Sequence, residues 1–170
     1  MTSQVRIAEV ADAALVARLL DDFNREFRTA TPGIGVLKGR LQRLLGQSDV
    51  VAVLADDPAV GLAVLTLRPN VWYDGPVALL DELYVVPEWR GQGIGSVLLE
   101  AAEQFTRGRG GELLEINVDG EDVGARRFYE RHGYRNSEPG SHEQLLYYFR
   151  EFAHVTLAPS KSPVLHTSTR

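Results

Sequence analysis

Between Val77 and Phe105 the chain carries a pattern that leaves few folds open. A long apolar run ends at Leu83-Tyr84-Val85-Val86-Pro87. Three alternating glycines follow in Arg90-Gly91-Gln92-Gly93-Ile94-Gly95-Ser96, and Ile94, Val97, Leu98, Ala101 and Phe105 then recur at helical spacing. An apolar strand, a proline stop, a glycine turn and an amphipathic helix make one strand–turn–helix unit. Glycine lets the main chain adopt positive φ and approach a ligand closely. Unpaired amides and the dipole at the helix start then favour an anion such as phosphate. Arg90 adds a cation and Ser96 a hydroxyl. A turn that merely reverses the chain uses glycine in the same way. A dinucleotide fingerprint requires Gly-x-Gly-x-x-Gly after the first strand. Here the spacing is Gly-x-Gly-x-Gly on a later strand, and no Gly-Lys-Ser/Thr of a P-loop is present.

The rest of the chain supplies a sheet and its cover. Gln4–Val10 predicts a first strand, and Asp12 an N-cap for a helix whose inner face is Leu15, Leu19, Phe23 and Phe27, with Val16 and Leu20 beside them. Thr29–Gly35 reads as a loop and Val36–Gly46 as a second helix. Val50–Ala55 and Ala59–Arg68, joined by Asp56-Asp57-Pro58, read as a hairpin. Val77–Val86 is the long strand before the glycine turn. After the helix at 93–107 come a strand at Leu113–Val118, a helix at Asp122–His132, a strand from Tyr134 and a last strand at Gln144–Phe152. Strands that meander early and alternate with helices later imply a mixed α/β sheet of about seven strands flanked by about four helices. Composition turns to Ser, Thr, Pro and Lys from Ala153, which predicts one domain over 1–152 and a weakly ordered tail over 153–170.

Composition excludes several classes. With no cysteine in 170 residues, disulfides, thiolate nucleophiles and cysteine-bound zinc are ruled out, and the four histidines lack metal-ligand spacing. The expectation is no metal. A net charge of −5 argues against nucleic acid and leans toward a cationic partner. No apolar run is long enough for a membrane span, and no secretory leader is visible, so a cytoplasmic address is expected.

Two blocks together resemble the GNAT superfamily of acyl-coenzyme A-dependent N-acyltransferases. Arg90, Gly93 and Gly95 match its Gln/Arg-x-x-Gly-x-Gly/Ala signature. Ile116–Tyr134 is similar to its Asn-x-x-Ala-x-x-Phe-Tyr-x-x-x-Gly-Phe block: Ala125, Phe128, Tyr129 and Gly133 agree, Asp122 replaces the asparagine, and Tyr134 the last aromatic. The resemblance covers about residues 4–152. It implies a GNAT-like fold with a splayed central strand pair, acetyl-coenzyme A as co-substrate, and transfer of its acetyl group to a primary amine in a ternary complex. A coenzyme-binding sensor without transferase activity is the alternative.

The resemblance also implies roles. Main-chain groups of Leu83, Tyr84 and Val85 would hold the pantetheine arm, with a bulge nearby. Arg90, Gly91, Gln92, Gly93, Ile94, Gly95 and Ser96 would hold the diphosphate. Asp122 would contact the pantetheine, as acceptor only while ionised. Tyr129 would protonate the departing thiolate, as a phenol of pKa about 10 can. Asp81 or Glu82 would take the amine proton. Being adjacent on a strand they should face opposite ways, so that one faces the cleft. The acidic helix residues Asp21, Asp22 and Glu26 read as a solvated face, and Trp72, Tyr73 and Asp74 as a candidate acceptor wall. The acceptor would be a small-molecule or peptide amine, and the family habit is a homodimer.

Overall fold

The computed structural model describes residues 3–148 and residue 150. These fall in two compact units, Met1–Val123 and Gly124–Arg170.

The first unit is a five-stranded sheet in the order β1 (Val5–Ile7), β2 (Val50–Ala55), β3 (Gly61–Arg68), β4 (Val77–Val85), β5 (Leu113–Ile116). Neighbours from β1 to β4 are antiparallel, and β4 and β5 are parallel. That is the mixed sheet expected from strands that meander and then alternate with helices. The central strands β2 and β3 read as continuous apolar runs because both of their faces are covered. Val51 to Ala55 and Gly61 to Leu65 are all buried.

Alternation along β3 separates two layers. Leu62 and Val64 join Ala52, Leu54 and Tyr84 in a core with Val16, Ala17 and Leu19 of α1 (Ala13–Glu26) and Leu41 of α2 (Ile34–Leu44). On the opposite face, Gly61 lies under α3 (Ile94–Gly108): a Cβ there would come 2.9 Å from Leu98 and 3.1 Å from Ile94. The helix can sit so close because glycine leaves it room. Asp12 precedes α1, but its carboxylate turns back to accept from the Glu9 amide at 2.8 Å and from Arg6 at 2.7 and 2.8 Å. It therefore pins the entry to α1 instead of capping it. The Arg6 fork holds its pKa down to about 2.

The second unit holds all but the first residue of α4 (Val123–Arg131). The strands expected from Tyr134 and over Gln144–Phe152 are not found among the described residues, which show no strand from Tyr134 to Tyr148. Phe149, Glu151 and Phe152 lie outside the described residues, as does the proposed tail. The turn formers Asn136, Ser137, Pro139 and Gly140 break up the strand pattern, and the Leu145 amide donates to the Asn136 carbonyl across the turn at 2.7 Å. A lone two-stranded ribbon is marginal. Tyr147 and Tyr148 are exposed. Among the described residues no helix is long and apolar enough to cross a membrane.

Candidate active site

Two features of β4 build the site. The first is a bulge. Leu65 of β3 faces Leu80 and Val64 faces Glu82, so Asp81 is one residue too many. Strict alternation would put Asp81 and Glu82 on opposite faces. The bulge prevents this. Val64 and Thr66 share a face of β3 because they are two apart. Glu82 pairs with Val64, and the Thr66 hydroxyl donates to Asp81 at 2.5 Å. Both carboxyls therefore lie on the face covered by α1 and α2, which corrects the expectation of one per face. Burial, followed by the negative charge of Asp81, pushes the Glu82 carboxyl up to about 7. Asp81 is also raised by burial, against the opposing pull of Thr66.

The second feature is an early end to the parallel ladder. β4 and β5 pair from Val77–Leu113 to Leu80–Ile116. β4 then continues from Asp81 to Val85 with no strand on that side among the described residues. Alternate peptide groups of Leu83, Tyr84 and Val85 point to β3, and the others to the open edge. One is engaged within the chain: the Val85 carbonyl accepts from Arg90 Nε at 2.9 Å. The Tyr84 side chain is buried in the core, its ring 5.3 Å from that of Phe23.

The chain leaves β4 through a single 3-10 turn at Pro87–Trp89 and enters the glycine turn. Gly91 has φ +74 and Gly93 φ +84, both in the left-handed region that disfavours side chains. A Cβ at either would meet nothing within 4 Å, so the turn presents bare backbone to open space. Ile94 and Gly95 open α3, and their amides have no acceptor inside the helix. Gly91, Gly93, Ile94 and Gly95 thus form a cradle suited to an anionic group. Ser96 sits in the first turn of α3 and has a partner of its own. Gln92 turns its amide back to the Glu88 carbonyl at 3.4 Å.

Arg90 does not reach into that cradle as a free cation. Its Nη1 and Nη2 donate to the two carboxylate oxygens of Glu26 at 2.7 and 2.8 Å. The acidic face expected on α1 is thus not simply solvated. Asp21 is buried too, accepting from Arg25 Nε at 2.5 Å and from the Thr31 hydroxyl at 2.7 Å, and both partners hold its pKa down. Thr66 carries no sequence signal and Glu26 reads only as part of an acidic helix face, because their partners lie 15 and 64 positions away along the chain.

Within the first unit, one group of expected site residues stands apart from this cluster. Trp72, Tyr73 and Asp74 lie in the β3–β4 loop, at the end of β4 opposite the glycine turn. Asn70 orders that loop, its side-chain oxygen accepting from the Trp72 and Tyr73 amides. Asp122 is exposed just before α4, its amide bonded to the Asp119 carbonyl at 3.0 Å. Within the second unit, Tyr129 stacks edge-on with Phe128 at 5.1 Å and with Tyr134 at 5.8 Å. His132 lies just past α4, with Nδ1 2.8 Å from the Phe128 carbonyl. Among the described residues no cluster of acidic and histidine side chains is arranged to hold a metal.

Residues 16–134 match the model of the acetyltransferase (GNAT) family. A crystal structure from Arthrobacter sp. FB24, assigned to the acetyltransferases, is 58% identical, with a TM-score of 0.84 over 88% of this chain and 96% of that one. An aminoglycoside N(6')-acetyltransferase of Klebsiella aerogenes is 48% identical over 63 residues, 36% of this chain and 41% of the relative. An aminoalkylphosphonate N-acetyltransferase of Salmonella typhimurium is 37% identical over 84 residues, 49% of this chain and 54% of the relative. The match thus spans about half the length of these two curated relatives.

Proposed function

The chain belongs to the acetyltransferase (GNAT) family, and from that premise we propose that it moves the acetyl group of acetyl-coenzyme A onto the primary amine of a small molecule by direct attack in a ternary complex. The observation that carries this reading is Glu82, whose carboxyl is raised to about 7 on the bulged strand that leads to an anion cradle. A base poised near neutrality is matched to an amine that must lose a proton before it attacks.

Acetyl-coenzyme A supplies an activated thioester. The amides of Gly91, Gly93, Ile94 and Gly95 hold its diphosphate, with Gln92 and Ser96 flanking them. Main-chain groups of Leu83 on the open edge of β4 hold the pantetheine arm; those of Tyr84, expected to share this role, face β3, as the Val86 amide bonded to the Val60 carbonyl fixes the alternation. The amide of Val85, whose carbonyl is committed to Arg90, helps polarise the thioester carbonyl. Glu82 takes the amine proton. Asp81, fixed by Thr66, keeps a negative charge beside it and so maintains its basicity. Tyr129 returns a proton to the departing sulfur, and Asp122 accepts from the pantetheine amides. The acceptors named for the two curated relatives, aminoglycosides and aminoalkylphosphonates, are small amines, which supports that class here.

The test is incubation with acetyl-coenzyme A and a panel holding an aminoglycoside, an aminoalkylphosphonate, a polyamine and a peptide with a free N-terminus, reading thiol release and the mass of one added acetyl group. At least one small amine is expected to turn over. Turnover of the peptide alone would move the acceptor to protein amines. Coenzyme binding without transfer to any amine would make the protein a sensor.

A further inference from the structure

Gly91 and Gly93 have no side chains with which to hold the shape of the turn, and the one side chain between them, Gln92, makes a long 3.4 Å bond to the Glu88 carbonyl. Gly91 and Gly93 touch nothing where a Cβ would stand. Converging amides bind well only if they are already in place, since ordering them on binding costs affinity. Something outside the turn must therefore hold it, and the contacts of Arg90, the residue that enters it, identify what does.

Three of the five N–H groups of Arg90 are committed within the chain. Two fork onto Glu26, the last residue of α1, and one reaches the Val85 carbonyl at the end of β4. The guanidinium also lies 5.8 Å from the centre of the Tyr84 ring, which packs on Phe23 one turn back along α1. Exposed ion pairs contribute little on average, but a two-pronged fork with a third bond to main chain is the arrangement that does contribute. Glu26 also neutralises the charge of Arg90, so the guanidinium serves to fix geometry instead of attracting the diphosphate.

We propose that Glu26 is a positioning residue for the coenzyme: through Arg90 it ties the last turn of α1 to the end of β4 and holds the glycine turn in its binding shape. The proposal rests on the coenzyme reading above. The helix packed on the same face of the sheet as the two carboxyls is thereby joined to the turn that grips the diphosphate.

The test is the dissociation constant of acetyl-coenzyme A, by titration calorimetry, for wild type, Glu26→Gln, Arg90→Gln, Arg90→Lys and the Glu26→Gln/Arg90→Gln double variant, with thermal unfolding of each free protein. Each single variant is expected to weaken binding about fivefold. The double variant should lose no more than either single, as one shared interaction requires. Arg90→Lys should bind as weakly as Arg90→Gln, because a single ammonium cannot span the carboxylate and the carbonyl. Unfolding midpoints should stay within about two degrees of wild type. If Arg90 instead touched the diphosphate, Glu26→Gln would bind as tightly as wild type or tighter, and Arg90→Lys would retain affinity; either result overturns the proposal. So do additive losses, or losses that follow the unfolding midpoint. Wild type that binds no acetyl-coenzyme A overturns the functional reading and this one together. Wild-type binding matched by Glu26→Gln overturns this one alone.

Discussion

Glu82 and Asp81 are neighbours in sequence and, through one surplus residue in β4, neighbours on one face. Two carboxyls so placed cannot both ionise freely, so the more buried one keeps its proton to higher pH. As the base must be unprotonated to act, kcat/KM should rise as pH climbs through about 7. Glu82→Gln should lower kcat by about a hundredfold and erase that limb of the pH–rate profile. Asp81→Asn removes the neighbouring charge, so the limb should survive and move to lower pH. A limb unchanged in both variants would place the base elsewhere. The pair was legible in the sequence as candidate bases, but its geometry was not. Period-two reasoning puts adjacent residues on opposite faces, and nothing in Leu80-Asp81-Glu82 announces that β3 skips a residue there.

Elements differ in what their glycines do, and substitution should separate the roles. At Gly75 a Cβ would sit 1.8 Å from the Gly110 carbonyl oxygen, where the β3–β4 loop passes the end of α3. Gly75→Ala should cost about 2–3 kcal/mol in urea unfolding, because backbone must move to admit it. Its coenzyme affinity, measured under folded conditions, should be unchanged. Gly93→Ala meets open space but a φ of +84, so it should cost only about 1 kcal/mol of stability. The new methyl stands in the cradle, so coenzyme affinity should fall at least tenfold. Equal affinity in Gly93→Ala and wild type would remove the turn from the binding site. At this scale the sequence was most informative. The apolar spacing of α1, the hairpin of β2 and β3, and the strand–turn–helix around Gly93 are all visible as periods of 3.6 or 2 interrupted by turn formers. The residues after Tyr134 show where such patterns fail. Apolar side chains there suit a strand, yet a strand also needs a partner edge, and local pattern does not supply one.

Across the whole molecule, stability and activity should respond to pH in opposite directions. Asp12 and Asp21 have lowered pKa values, so their stabilisation is present above the ordinary carboxylate value of about 4 and is lost as pH falls through the folded values. Glu82 has a raised value, so its contribution is present in acid and is lost as pH rises from about 4.5 to about 7. Thermal unfolding midpoints should therefore peak near pH 5 and decline toward pH 8, over the range where activity increases. Glu82→Gln should flatten that decline and, at pH 8, stabilise the fold by on the order of 1–3 kcal/mol even as it slows turnover. Midpoints that keep rising to pH 8 would contradict the placement of Glu82.

The sequence by itself determined the kind of molecule: its mixed sheet, its helices, the glycine turn and the family signature. Each of these is written in residues close enough along the chain to show a period or a motif. Only the tertiary structure decided that both carboxyls share a face, that the β4–β5 ladder stops at Leu80 and Ile116, and that Arg90 answers to Glu26. Those facts depend on strand register and helix placement, which bring together side chains far apart in sequence, and no local pattern of apolar and polar residues carries that distance.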